Sequence, residues 1–204
     1  MDTFVPCEKS LLAMDIINFF KRTKNILITP AKEWEIIALE TGKYSSLVLT
    51  FALPWIILCS LAKFAGLAFF SDNFEFLNAF IQSFIQFFTL FTAVYFTSKI
   101  TYRLAPSFQS VKDEDQAFRL IIYTCVPVFV STFFVNLFPS LFPLKLLYLY
   151  SIYLINTGIT SLMKTPDDQK IGYMLIALII LAGIVLAMYR VMNFIIPALP
   201  VNAI

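Results

Sequence analysis

Histidine is absent from all 204 residues. That removes the commonest general base, metal ligand and physiological pH switch together. Charge is scarce as well: 14% of residues are Asp, Glu, Lys or Arg, against about 25% in a typical soluble domain. Too few charged groups remain to cover a water-facing surface. The three cysteines form no CxxC pair and are odd in number, which excludes a fully paired disulfide framework. Cys59 and Cys125 lie inside apolar runs and read as buried thiols, while Cys7 lies in the polar N-terminal segment. No Gly-x-Ser-x-Gly, phosphate loop or carboxylate pair within an apolar run occurs, so no catalytic residue is assigned and no cofactor or metal is expected. With a net charge of +2 and no basic stretch interleaved with aromatics, nucleic acid is not an expected partner.

What the chain has in abundance is apolar length. Hydrophobic residues make up 59% of it, phenylalanine alone contributes 23, and the mean hydropathy is +0.81. Crossing a hydrocarbon core of ~30 Å takes about 20 helical residues. Five stretches meet that length: 46–68, 78–98, 118–138, 144–163 and 172–196. Their apolar residues are continuous rather than alternating, so helices are implied and barrel strands are not. The predicted fold is all-α: an integral membrane bundle of five transmembrane helices preceded by an amphipathic cytoplasmic or interfacial helix. The domain division is 1–44 for the N-terminal segment, 45–197 for the membrane part and 198–204 for a short external tail.

Basic residues set the orientation. Lys9, Lys21, Arg22, Lys24, Lys32 and Lys43 precede the first span. Lys99, Arg103, Lys112 and Arg119 flank the second connection, and Lys164 and Lys170 the fourth. Only Lys63, Lys145 and Arg190 fall towards the other side. The N-terminus is therefore expected in the cytoplasm and the C-terminus outside. The N-terminal run shows no signal peptide with a cleavage site. Within it, Leu12, Ile16, Phe19, Phe20 and Leu27 share one helical face, and Asp15, Asn18, Lys21, Arg22 and Asn25 the opposite one. Such a helix can lie among headgroups or pack on the cytoplasmic loops.

Several residues inside the spans invite a role. Lys63 and Arg190 lie one and two turns from the outer ends of their spans. There a long stem can carry the charge out to the interface, or Arg190 can sit in a crevice holding a lipid phosphate. Gln82, Gln86 and Asn156 are deeper, suited to helix-to-helix hydrogen bonds or to a substrate path. Pro54 and Pro127 interrupt the first and third spans and predict kinks, and Pro143 is expected to open the fourth. In "KTPDD", Thr165 is read as a helix cap, Pro166 as the first helical residue, and Asp167 and Asp168 as first-turn anions, with Lys164 at the inner interface.

The segment "KRTKNILITPAKEWEII", the five spans after it and "SIYLINTGITSLMKTPDDQKIGY" resemble the bacterial branch of the Yip family. This is a family of membrane proteins named for interaction with Ypt/Rab GTPases. Pro30 and Trp34 of a Pro-x-x-x-Trp motif, the run Leu162 to Pro166, and Tyr123 and Pro127 in "YTCVP" carry the likeness, which extends from Lys21 to Pro197. It implies a five-helix domain with an internal N-terminus. The Asp-Leu-Tyr-Gly-Pro run of eukaryotic members is missing, so no GTPase-contact residue is carried over. The expected function is a non-enzymatic, partner-binding or membrane-organising scaffold, acting with the bilayer and as a homo-oligomer or with a membrane-protein partner. Its candidate contact residues are Lys164, Thr165, Pro166, Asp167, Asp168, Pro30 and Trp34. The alternative is a small transporter, channel or lipid-moving protein using Gln82, Gln86, Asn156, Arg190 and Lys63.

Overall fold

A computed structural model describes residues 8–71 and 73–198, with side chains from residue 16 onward apart from residue 189 and those beyond 191. The expectations for Cys7, for the side chains of Leu12 and Asp15, and for nearly all of the 198–204 tail lie outside the described residues. Two short helices come first, α1 (Glu8–Ile28) and α2 (Pro30–Leu39). Five helices long and apolar enough to cross a membrane follow: α3 (Tyr44–Phe70), α4 (Phe76–Phe108), α5 (Glu114–Leu137), α6 (Pro139–Met163) and α7, which runs Asp167–Ala198 and whose apolar stretch is Asp167–Met188. The described residues hold no strand. The protein is an all-α, five-span membrane bundle.

The prolines leave visible marks. Pro54 has no N–H to return to the carbonyl one turn back, and the backbone absorbs this as a π turn over Val48–Ala52 just before it. In α5 the α-helical run ends at Thr124 and restarts at Val126, with Cys125 at φ −78°, ψ −5° between them and Pro127 in the new first turn. The fourth span differs from expectation. It starts at Pro139 with 3-10 turns over Pro139–Leu149 that are broken by a kink at Leu141 (φ −84°, ψ 20°). Pro143 follows that kink and so stands near the start of the piece that runs on into the span.

Helix α5 is the hub. It is the most buried of the spans and packs against α3, α4 and α6, while α7 leans on α4 and α6 with little of its length covered. Where α3 crosses α5, Gly66 permits the approach: a Cβ there would meet the carbonyl oxygen of Asn136 at 1.8 Å. Close backbone approach over small residues is how helices associate where lipid supplies no hydrophobic drive. The amide of Asn136 donates to the carbonyl of Cys59 at 3.2 Å, adding a polar tie to the same crossing.

Helices α1 and α2 form an antiparallel hairpin that enters the bundle at the end where Tyr44, Glu114 and Met163 lie, the basic end, and packs alongside α3 and α6. Phe19 packs against Phe51 and Trp55 of α3, with ring centroids 5.3 Å apart in each pair. Phe19, Thr23 and Ile26 face inward, while Ile16 and Phe20 are exposed, so the apolar face read from the sequence is divided between protein and surroundings.

Candidate functional site

The hairpin is held by polar groups buried between helices. Arg22 of α1 donates to Glu33 Oε1 of α2 at 2.6 Å and also to the carboxylate of Glu40. Asn25 Nδ2 donates to the other oxygen of Glu33 at 3.0 Å. Glu33 is only 4% exposed, a burial tolerable because both carboxylate oxygens are occupied. Burial works against the charge on Arg22, but the Tyr123 phenol and the Glu40 and Glu33 carboxylates outweigh it and hold its pKa above the usual arginine value.

From α5, Arg119 reaches back to the link between hairpin and bundle. Its two Nη atoms donate to the carbonyls of Glu40 and Gly42, each at 2.5 Å, and the side chain is almost fully buried. A guanidinium spanning two backbone carbonyls satisfies acceptors left over where α2 ends. Beside it, Asp115 Oδ1 accepts from the backbone N–H of Tyr44 at 2.6 Å, and Lys99 of α4 pairs with Glu114. A cleft of about 380 Å³ opens here, lined among others by Glu40, Gly42, Lys43, Asp113, Asp115 and Arg119. A second, of about 440 Å³, lies between α1 and α3, with Asn18, Arg22, Thr50 and Tyr123 on its wall.

Pro30 and Trp34 are not where a contact surface needs them. Pro30 is buried, and Trp34 has no exposed area. The indole lies between α5 and α6, and its Nε1 donates to Thr157 Oγ1 at 3.0 Å. The physical reason is Gly158: on that face of α6 only a residue without a Cβ leaves room for the ring. Thr29 occupies the cap position of α2 ahead of Pro30, but its hydroxyl donates back to the Asn25 carbonyl at 3.3 Å instead of capping.

The 164–168 loop is built differently in detail from the sequence reading. Lys164 ends α6 in the left-handed region at φ 49°. Thr165 does not cap α7: it is buried, and its hydroxyl pairs with Ser110 at 2.8 Å. The Pro166 carbonyl takes the first bonds of the new helix, from the N–H groups of Gln169 and Lys170. Thus α7 starts one residue later than read, with Asp167 and Asp168 in its first turn as expected. The neighbouring 105–111 turn is stitched on by the Val111 N–H, which donates to the Met163 carbonyl at 2.9 Å. Lys164, Asp167 and Asp168 remain exposed and Pro166 half-buried.

The intramembrane candidates are not gathered into one place. Gln82 donates to Asn78 of its own helix at 2.9 Å, and Gln86 and Asn156 are half-buried. The two glutamines stand on α4, which packs on α3, α5 and α7, whereas Asn156 is on α6, whose larger contacts are with α2, α5 and α7. None of the three lines either cleft. Lys63 is half-buried, with Lys145 as the charge near it. Arg190 is exposed on α7.

A family model of the Yip1 domain matches residues 24–189. The chain belongs to the Yip1 family. Its matched region begins inside α1 and ends in α7, so the Yip1 domain here includes α2 with Trp34 as well as the five spans. No curated protein and no solved structure matches the chain.

The network of Arg22, Glu33, Glu40 and Arg119 escaped the sequence reading. Its members are 11 to 79 positions apart, and nothing local pairs them. One signal was available. Arg119 lies inside the stretch 118–138 assigned to the third span, and a charge placed there needs a partner.

Proposed function

We propose that this Yip1-family protein is a non-enzymatic scaffold of a bacterial inner membrane, with its N-terminus in the cytoplasm and its C-terminus outside. It binds a protein partner at the Lys164–Asp168 loop. The observation that carries this is the construction of that loop. Its backbone is held by the left-handed Lys164, by the Ser110–Thr165 pair and by the Val111–Met163 bond, while Lys164, Asp167 and Asp168 stay exposed at the surface. A charged face on a fixed backbone loses little conformational freedom when a partner docks, which favours recognition. Dispersal of Gln82, Gln86 and Asn156 over different interfaces supports a scaffold over a transport path.

The test is a photo-crosslinking residue in place of Asp168, used in cells. A discrete adduct to another protein, lost on Lys164→Glu, is expected. Adducts to lipid alone, or adducts unchanged by Lys164→Glu, would refute the partner role. Orientation is checked with cysteines placed at Asp168 and Phe142 in a chain lacking Cys7. An impermeant maleimide should label only Phe142→Cys from outside.

A further inference from the structure

The hairpin does not lie across the bundle end; it descends beside the spans. The Leu27 carbonyl accepts from the Tyr150 hydroxyl at 3.0 Å, and Tyr150 starts the 14-residue α-helical stretch that rises to Met163. At 1.5 Å per residue, the hairpin tip is therefore ~20 Å along α6 from its basic end. Two more contacts agree. Thr23 accepts from the Trp55 indole at 3.3 Å, eleven positions into α3, and Trp34 sits against Gly158 part-way up α6. The ten residues of α2 cover about 15 Å of the return to the surface.

At that depth a lipid-facing surface should be apolar, yet the outer face of the hairpin is mixed. Lys21, Lys24 and Lys32 are exposed and in no ion pair among the described residues, alternating with exposed Ile17, Phe20 and Ile28. Among the described side chains of the hairpin, Glu35 is the exposed acidic residue. Three unpaired ammonium groups in hydrocarbon would be costly. The arrangement is favourable when headgroups and water come down to them.

We infer that the outer face of the α1–α2 hairpin is a docking surface for anionic phospholipid headgroups, which it draws in, with their water, beside the spans. The lysines supply charge complementarity, and Ile17, Phe20 and Ile28 lie alongside the displaced acyl chains. This surface is separate from the loop that carries the proposed partner role, and neither depends on the other.

Two measurements in vesicles of phosphatidylcholine, with and without phosphatidylglycerol, decide it. Nitroxides go at Ala31→Cys on the hairpin and at Ile179→Cys on α7, in a Cys7→Ser chain whose Cys59 and Cys125 are buried. The Ala31 label should be relaxed by a water-soluble nickel complex, and the Ile179 label by oxygen. The preference of the protein for spin-labelled phosphatidylglycerol over phosphatidylcholine should fall severalfold in the triple variant Lys21→Gln, Lys24→Gln, Lys32→Gln, and stay unchanged in Lys164→Gln. An Ala31 label that behaves like the Ile179 label, a triple variant with unaltered lipid preference, or an equal loss in Lys164→Gln would each overturn the inference.

Discussion

Trp34 and Gly158, 124 positions apart, are the knob and the hole that join hairpin to bundle: a Cβ on the glycine would lie 2.7 Å from the indole ring. Trp34→Ala should therefore cost about 3–5 kcal/mol, the range for emptying a large buried site. Trp34→Phe should lose less, chiefly the bond to Thr157, at about 0.5–1.5 kcal/mol. Gly158→Leu should expel the indole and reproduce the alanine phenotype from the opposite side. Apparent unfolding temperature in detergent, with protease cleavage at the hairpin, reads all three.

Arg119 closes the link between α2 and α3. Arg119→Leu leaves the Glu40 and Gly42 carbonyls without their donor, and hydrogen bonds to a charged group contribute about 1.5–3 kcal/mol each. Lysine, a single point of charge, cannot span both carbonyls, so Arg119→Lys should recover only part. Limited proteolysis between residues 40 and 43 should rise in the order wild type, lysine, leucine. Equal cleavage in all three would show that the latch does not exist.

Glu33 is nearly buried, so removing its partner should be worse than removing the pair. Arg22→Met strands the carboxylate and should destabilise by about 3–5 kcal/mol, whereas Arg22→Met with Glu33→Met should recover most of that loss. A double-mutant cycle on thermal stability measures the coupling. Additive effects would mean that the two side chains act independently.

Two glycines offer a contrast within the spans. Gly66→Ala sets a methyl against the Asn136 carbonyl and should disrupt the α3–α5 crossing, seen as loss of folded protein on size-exclusion chromatography. Gly183→Ala meets nothing within 4 Å and replaces a poor helix former, so stability should hold or rise slightly.

The loop shows how far residue order alone reaches. Asp167 and Asp168 are in the first turn of α7 because a carboxylate near a helix N-terminus is favourable in any context, and proximity in sequence suffices to say so. Thr165 lost its expected cap role because Ser110, fifty-five positions away, offered its hydroxyl a buried partner. Local chemistry names the turn; the partner comes from elsewhere in the fold.

Five apolar stretches of spanning length, their helical state and the clustering of lysine and arginine at alternate connections are one-dimensional properties. Solvation by hydrocarbon reads them directly, and the sequence by itself determined them. The folding of α1 and α2 into the bundle was decided by tertiary structure alone. It depends on Gly158 meeting Trp34, on Arg22 meeting Glu33 and Glu40, and on Arg119 meeting two backbone carbonyls. Each of those contacts needs a distance between remote parts of the chain, and only the packed helices supply it.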